Sequence, residues 1–475
     1  MSSGMGIKII RETDFSYLLE RDQSKARIIG TKSLINQAMG SEAITQLLNM
    51  AELPGKIGMP VGLPDIHQGY GFPIGSVVAF DSSNGIVSPG GVGYDINCGV
   101  ALMNTGMDIK TCRLHIRDII NEIFTQVPVG MARSRNKLSR RDIETITSEG
   151  IQWLYFRDLA TEDDINKTDY NGSMFGAEPA TISDKAYSRG MNFFGTLGSG
   201  NHFIELQYAD QIMNGEVSEE YGIHKDMVYV MIHTGSRGLG HQVATDYIQE
   251  IRSLDHNRML KDAQLSYMEL SSKNAERYIS AMNGAANYAF ANRQMIISMI
   301  RNAIKKVMRN DFMEEESEVV YNISHNIAAF EEHEIDGRRQ KVLVHRKGAT
   351  RALPPESTSG YYAGIGHPVI VPGSMGTSSY VLRGIRGNSE ISFSTSCHGA
   401  GRVLGRKMAK ETISPESVEK ELEALKIEMK FASTSALTEE APESYKDIDE
   451  IYNSIIGGKI AEGIARLKPM GVIKG

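Results

Sequence analysis

His398 lies in the run Ser396-Cys397-His398-Gly399-Ala400-Gly401-Arg402, an imidazole in a loop of small residues followed by a cation. An unprotonated imidazole can attack phosphorus to give a phosphoramidate, which divides one difficult transfer into two easier ones. Cys397 is a rival nucleophile, and residue type alone leaves both open. Four further short, mostly Gly-flanked segments gather His, Cys, Asp or Asn: Gly93-Tyr94-Asp95-Ile96-Asn97-Cys98-Gly99, Gly198-Ser199-Gly200-Asn201-His202, His233-Thr234-Gly235-Ser236-Arg237-Gly238 and Ser324-His325-Asn326. Spread along the chain, these segments point to one site assembled from strand ends.

The ligand types suit a metal. Asp95 and Cys98 are separated by two residues in a turn, so one ion can take both, or the thiolate can bridge two. His202, His233 and His325 add neutral nitrogen. Cysteine with histidine suits zinc, and an added carboxylate opens the site to manganese or iron. His67, in Leu63-Pro64-Asp65-Ile66-His67, is a further candidate, with Asp65 orienting it from behind; a structural turn explains that segment equally well.

Residues 201–207 alternate as a strand does, so Asn201, Phe203 and Glu205 share one face while His202 and Leu206 take the other. A carboxylate on such a face can accept the N1–H and N2–H₂ of guanine. Pro372-Gly373-Ser374-Met375-Gly376-Thr377-Ser378-Ser379 follows an apolar strand, and its backbone N–H groups and hydroxyls can form a nest for phosphate. It lacks the lysine of a Walker A loop. Arg237, Lys347 and Arg402 supply cations for phosphates or nucleic acid, ordinary surface charge being the alternative.

Elements to position these groups are legible in outline. Residues 41–51 read as an amphipathic helix through Ile44, Leu47, Leu48 and Ala51. Residues 57–80 read as strands with tight turns, and 226–232 as a buried strand that delivers His233. Residues 111–125 and 143–159 read as helices, flanking a basic run from Arg133 to Arg141 that suits either a solvated loop or a nucleic-acid contact. Residues 341–345 and 369–372 are further strands. Residues 242–312 read as a helical insertion, and 415–430 as a late helix opened by Pro415, with Val418, Leu422, Leu425 and Met429 on one face. The site-like segments run from 65 to 402 with no linker between them, so one large α+β domain over 1–475 is expected.

A chain of 475 residues with 41% hydrophobic and 23% charged residues is ordinary for a folded protein. A net charge of −7 means that any nucleic acid must be met by a local basic patch. Cys98, Cys112 and Cys397 are too few and scattered for a disulfide framework. With no secretory signal and no long apolar run, a cytoplasmic protein away from membranes is expected.

These motifs together resemble the RtcB family of RNA ligases, the tRNA-splicing ligases, in its archaeal and eukaryotic form. The resemblance rests on Leu63–Gly75, Gly90–Val100, Gly195–Phe203, His233–Gly240, Val344–Ala352, Pro372–Thr377 and Cys397–Arg402, in one order along nearly the whole chain. It implies the family's α+β architecture around a deep metal cleft. It implies an enzyme that uses GTP and two Mn²⁺ to join an RNA 2′,3′-cyclic phosphate or 3′-phosphate to a 5′-hydroxyl. By the same resemblance Asp95, Cys98, His202, His233 and His325 hold the metals, with Cys98 shared, and His398 takes GMP. Asn201, Glu205, Asn326, Pro372, Gly373, Ser374, Met375, Ser379, Gly399, Ala400, Gly401, Tyr445 and Lys474 then surround the guanylate, and Arg237, Lys347 and Arg402 face phosphates or RNA. The implied partners are RNA, such as tRNA halves or broken RNA, and the activator archease, with a monomer favoured. A metal-dependent phosphohydrolase or nuclease shares the ligand set without needing the histidine nucleophile, and a non-catalytic RNA-binding scaffold needs neither.

Overall fold

Runs of β-branched and aromatic residues cut by glycine turns build two large sheets, with helices packed between and around them. The computed structural model describes residues 6–475 apart from 259, 261, 310–316 and 336. One sheet has seven strands in the order Lys8–Arg11, Ser16–Arg21, Ser24–Ile29, Lys56–His67, Ile74–Asp81, Arg338–Lys347, Asn326–Ile335. The other has eight. Its main path runs Val319–Ser324, Gly99–Asp108, Met227–Thr234, Phe203–Ile212, Ala461–Lys474, Ser379–Gly384, Pro368–Val371, and Glu428–Phe431 pairs in parallel with Ala461–Lys474. The class is α+β, as expected, with the cluster of metal-ligand types between the sheets.

The chain crosses between the sheets at one residue. Val319–Ser324 belongs to the eight-stranded sheet, Asn326–Ile335 to the seven-stranded one, and His325 lies between. A second connection runs from Arg338–Lys347 through Gly348, at φ +57°, into the short strand Ala349–Arg351. That strand pairs with Thr395–Cys397, Ala349 opposite Cys397, and so sets His398 beside Lys347 and Gly348.

Within the span read as a helical insertion, residues 259, 261 and 310–312 lie outside the described residues. The rest holds the helix Arg237–Ile251, a short strand Met268–Glu269 paired with Ile86–Val87, and the helix Lys273–Met308. This last helix has 36 residues, about 54 Å at 1.5 Å per residue, and is capped by the Ser272 hydroxyl. Its alanine-rich middle lets other elements approach closely, so Ala281, Ala285, Ala289 and Ile300 are fully buried. Asn287, Asn292, Arg293 and Gln294 are equally buried, and their side chains bond loop backbone at Met174, Thr196, Asn97 and Leu159. The helix is thus the central post of the molecule, against which the site loops are tied.

The late helix is shorter than its apolar spacing indicates. It ends at Ala424, Lys426 takes φ +58°, and Met429 lies in the strand Glu428–Phe431. Leu425 is half exposed. The edge of the eight-stranded sheet captures 428–431 by backbone pairing, which overrides the helical period. Of the basic run, Arg140 opens the helix Arg140–Glu149 under a Ser139–Asp142 capping box, while Arg133, Arg135 and Lys137 are exposed on the preceding loop. No described helix is long and apolar enough to cross a membrane.

Candidate active site

Strand register assembles the metal-ligand types. In the eight-stranded sheet Ser324 pairs with Gly99, Val100 with His233, and Phe203 with His233. Cys98 and His325 therefore meet at one strand end, and His202 falls beside the end that carries His233. Two triads result, Cys98–His233–His325 and Asp95–Cys98–His202; in each, the ligand atoms lie within 4.8 Å of one another, and Cys98 Sγ belongs to both. The sulfur is 3.2 Å from His233 Nε2 and 3.5 Å from His202 Nε2.

The histidine tautomers test whether a cation fits. His202 Nδ1 donates to the Leu197 carbonyl at 3.0 Å, and His233 Nδ1 to the Asn201 carbonyl at 2.9 Å. A carbonyl only accepts, so in each neutral ring Nε2 presents a lone pair. His202 Nε2 faces Asp95 Oδ2 at 2.9 Å, and His233 Nε2 faces His325 Nε2 at 3.1 Å. Burial pushes His233 and His325 well below the usual histidine range, and neighbouring histidines add to it, so both would meet a cation as neutral nitrogen donors. Burial and the Asp95 charge push the Cys98 thiol well up, so a metal must displace its proton. Converging lone pairs, a carboxylate and a thiol form a donor set that a divalent cation completes, and sharing of Cys98 gives room for two.

The long helix fixes this geometry from behind. Arg293, fully buried, donates to the carbonyls of Asn97 at 2.8 Å and Thr234 at 2.9 Å, and to Asn322 Oδ1 at 2.6 Å. Each of those residues neighbours a ligand-bearing turn or strand. Asn292 Oδ1 accepts Gly195 N–H at 2.7 Å and its amide reaches the Gly235 carbonyl, tying the loops on either side.

His398 adjoins the Cys98–His233–His325 triad, its ring 4.9 Å from that of His325 between centroids. Its Nδ1 pairs with Asp65 Oδ2 at 2.7 Å, and the same oxygen accepts the His398 backbone N–H at 3.2 Å. The expected link from Asp65 to His67 is not made by the carboxylate. His67 Nδ1 instead meets the Asp65 backbone carbonyl at 2.9 Å, and the carboxylate serves the histidine 333 residues away. With Nδ1–H held by Asp65, Nε2 is left as the free lone pair. Burial raises the Asp65 carboxyl, but His398, Lys446 and His67 outweigh it and hold the group below the usual range. Cys397 is fully buried, and burial with the nearby Asp65 pushes its thiol well up.

A cleft of about 370 Å³ opens in front of these groups, a size that suits a small ligand. His398, Cys98, His233 and His325 line one end. Asn201, Phe203, Glu205, Pro372–Met375, Gly399–Gly401, Tyr445 and Lys474 line the rest. Asn326 also lines it, with its amide bridging the Asp95 carbonyl and Gly348 N–H. The alternation read from 201–207 holds: Ile204 and Leu206 enter the core while Phe203 and Glu205 face the cleft. Ser379 lies behind the lining, where its hydroxyl accepts Gly373 N–H at 3.2 Å and Gln207 Nε2 at 3.0 Å. Gln207 also donates to Glu205 Oε2 at 2.7 Å. Burial pushes the Glu205 carboxyl up to about 7 against the lowering effects of Lys474 and Gln207.

The cations divide. Lys347 lines the cleft and donates to the carbonyls of Tyr70 and Gly90. Burial pushes its ammonium down to about 7. Arg237 lies behind Asp95, its Nε 3.3 Å from Thr196 Oγ1. Arg402 is held by Glu440 Oε1 at 3.0 Å, the Glu439 carbonyl at 2.7 Å and the Leu404 carbonyl at 3.1 Å. Glu440, fully buried, escaped the sequence reading. It also takes the Tyr445 hydroxyl and Lys474 Nζ, at 3.5 Å, and so organises the far wall. Lys474 is buried because Ala461–Lys474 pairs with Phe203–Ile212 up to its last residue. Nothing local in Glu439-Glu440 marks a hub; Arg293 does carry a signal, as one of three consecutive polar residues in an apolar helix.

A family model described as tRNA-splicing ligase RtcB matches residues 46–475. The chain is 42% identical over 461 residues to the tRNA-splicing ligase RtcB of Thermococcus kodakarensis, covering 96% of each. It is 42% identical over 444 residues to the tRNA-splicing ligase RtcB of Archaeoglobus fulgidus, covering 92% of each. It is 40% identical over 451 residues to the RNA-splicing ligase RtcB homolog 1 of Entamoeba histolytica, covering 93% of this chain and 86% of that one.

Proposed function

The chain belongs to the RtcB family of tRNA-splicing ligases, and on that premise we propose that it is an RNA ligase joining 2′,3′-cyclic phosphate or 3′-phosphate ends to 5′-hydroxyl ends through a GMP adduct on His398. The observation that carries the reading is the Asp65–His398 pair at the edge of the Cys98 cluster, facing the cleft. Asp65 keeps the proton on Nδ1, so the Nε2 lone pair meets the α-phosphorus of GTP. A P–N bond forms, the bond to the bridging oxygen breaks and diphosphate leaves. Two Mn²⁺ held by Asp95, Cys98, His202, His233 and His325 would neutralise phosphate charge and help the diphosphate depart. Glu205 accepts the guanine N1–H and N2–H₂, while Phe203, Tyr445 and Lys474 wall the base side. The loop Pro372–Met375 and Lys347 face the phosphates.

A cyclic phosphate is opened first to a 3′-phosphate. The RNA 3′-phosphate oxygen then takes GMP from His398, breaking the P–N bond, and the 5′-hydroxyl attacks the activated phosphate with release of GMP. The exposed Arg133, Arg135 and Lys137 adjoin the Gly195–His202 loop, where Leu197 N–H bonds the Pro128 carbonyl, and give an RNA strand a basic path to the cleft. We place the enzyme in the cytoplasm as a monomer acting on tRNA halves or broken RNA, with archease as activator.

Labelling with α-³²P-GTP and Mn²⁺ tests the assignment. Wild type acquires an acid-labile, base-stable adduct and His398→Ala does not; equal labelling of the two overturns it. Release of phosphate or RNA fragments without joined product establishes the phosphohydrolase or nuclease reading instead.

A further inference from the structure

We infer that Lys446 is a positioning residue for the nucleophile, a buried cation that holds the Asp65 strand and the His398 loop in register so that Asp65 can orient His398. The inference rests on the reading of His398 as nucleophile. Lys446 does not line the cleft, and it is buried beneath it.

Its ammonium donates to the carbonyls of Pro64 at 3.1 Å and Ile66 at 2.6 Å, the two residues that flank Asp65. Those carbonyls need a donor, because the pairing of Lys56–His67 with Ile74–Asp81 is irregular between Gly62 and His67. At its other end, the Lys446 backbone N–H donates to the Gly401 carbonyl at 3.0 Å, and the preceding residue, Tyr445, bridges Arg402 in antiparallel fashion. One residue therefore grips both segments that must meet at the Asp65–His398 bond. The fit between them is close. Gly401 takes φ +71°, and a Cβ there would lie 2.3 Å from the Asp65 carbonyl oxygen.

Charge gives the second part of the argument. Asp65 is fully buried; Oδ2 takes both bonds from His398, and Oδ1 has no partner among the described residues. An ionised carboxylate in that state needs compensation. His67 is pushed down to about 4, mainly by burial, and is neutral near pH 7. His398 must be neutral to attack. Lys446 is then the standing cation that acts on Asp65. Burial draws it down to about 8, with Asp65, Cys397 and Glu450 opposing, so it remains mostly charged at neutral pH.

Single-turnover guanylylation separates positioning from mere support, because a misfolded fraction lowers the amplitude of labelling and leaves the rate constant of the folded fraction alone. Wild type, Lys446→Met and Lys446→Arg are labelled with α-³²P-GTP at saturating Mn²⁺ across a GTP series, with thermal melting and metal content measured alongside. Lys446→Met is expected to lower the rate constant on the order of tenfold to a hundredfold. Its half-saturating GTP stays within about threefold of wild type, since Lys446 does not touch the cleft. Lys446→Arg recovers most of the rate. A wild-type rate constant in Lys446→Met, or a loss confined to amplitude, overturns the inference. Absence of label on wild type would instead overturn the reading of His398.

Discussion

On the proposed reading, Glu205 would couple nucleotide recognition to pH. In the ligand-free protein its carboxyl sits at about 7, so roughly a tenth of the molecules carry the anion at pH 6 and roughly nine-tenths at pH 8. A guanine edge offers only N–H donors to that oxygen pair and therefore selects the anion. Binding draws the group below its free value, and affinity must rise with pH until the free carboxyl is already ionised. Between pH 6 and 8 the gain is about tenfold, or about 1.4 kcal/mol, and it flattens above pH 8. The stability of the free protein moves the other way. A carboxyl raised on folding contributes most below its ordinary pKa, and that contribution is lost as pH rises through about 7. GTP affinity measured by calorimetry in a His398→Ala background, with no covalent step to follow, isolates the effect. Glu205→Gln in the same background serves as reference, since phosphate and metal titrations are common to both. The expected result is a tenfold steeper rise for the glutamate protein across those two pH units. Parallel pH profiles for the glutamate and glutamine proteins would refute the placement of the base against Glu205.

Two further outcomes follow from the metal cluster and its support. Arg293→Met leaves the Asn97 and Thr234 carbonyls and Asn322 Oδ1 without their donor, at about 1–3 kcal/mol each. Relief from burying a guanidinium that burial has drawn down to about 10 returns roughly 3 kcal/mol. A net destabilisation of up to about 6 kcal/mol, centred near 3, is expected in urea unfolding, with metal affinity weaker by about 10–100-fold because the ligand turns shift; unchanged metal affinity would show that the helix does not set the site. Because the Cys98 thiol is protonated without metal, loading metal-free protein with Mn²⁺ in weak buffer should release a proton and stabilise the fold by about 2.7 kcal/mol at a hundred times the dissociation constant. Cys98→Ser should lose both effects, and retention of either would argue against the shared sulfur.

The residues that cluster around Cys98 were legible because each lies in a short, mostly glycine-flanked turn at a strand end, where backbone conformation and side-chain chemistry leave a joint mark. Glu205 was legible for a related reason: a period of two separates its face from that of His202. What local pattern cannot show is which distant partner a group will choose. Asp65 stands two residues from His67, yet its carboxylate bonds His398 across 333 positions, because topology, and not spacing, closes that contact. Glu440 and Lys446 belong to ordinary charged segments and become exceptional only when burial removes the water around them. The late helix was misjudged at Leu425 for a similar reason, since a sheet edge elsewhere in the chain claims the residues that follow. The helical character of 242–312 was plain, but its sequence does not say that the long helix would stand at the centre.

His325 is the residue at which the chain passes from one sheet to the other, and it is also a donor to the Cys98 cluster. Mechanically, an ion bound there would pin that junction to the ends of the strands beside Cys98 and His233 in the eight-stranded sheet. A shift of the junction would then stretch a coordination bond, and His398, in ring contact with His325, would feel it at once. Loading metal should therefore stiffen the whole cleft and slow amide exchange along both sheets at the seam, well beyond the few side chains that touch the ion.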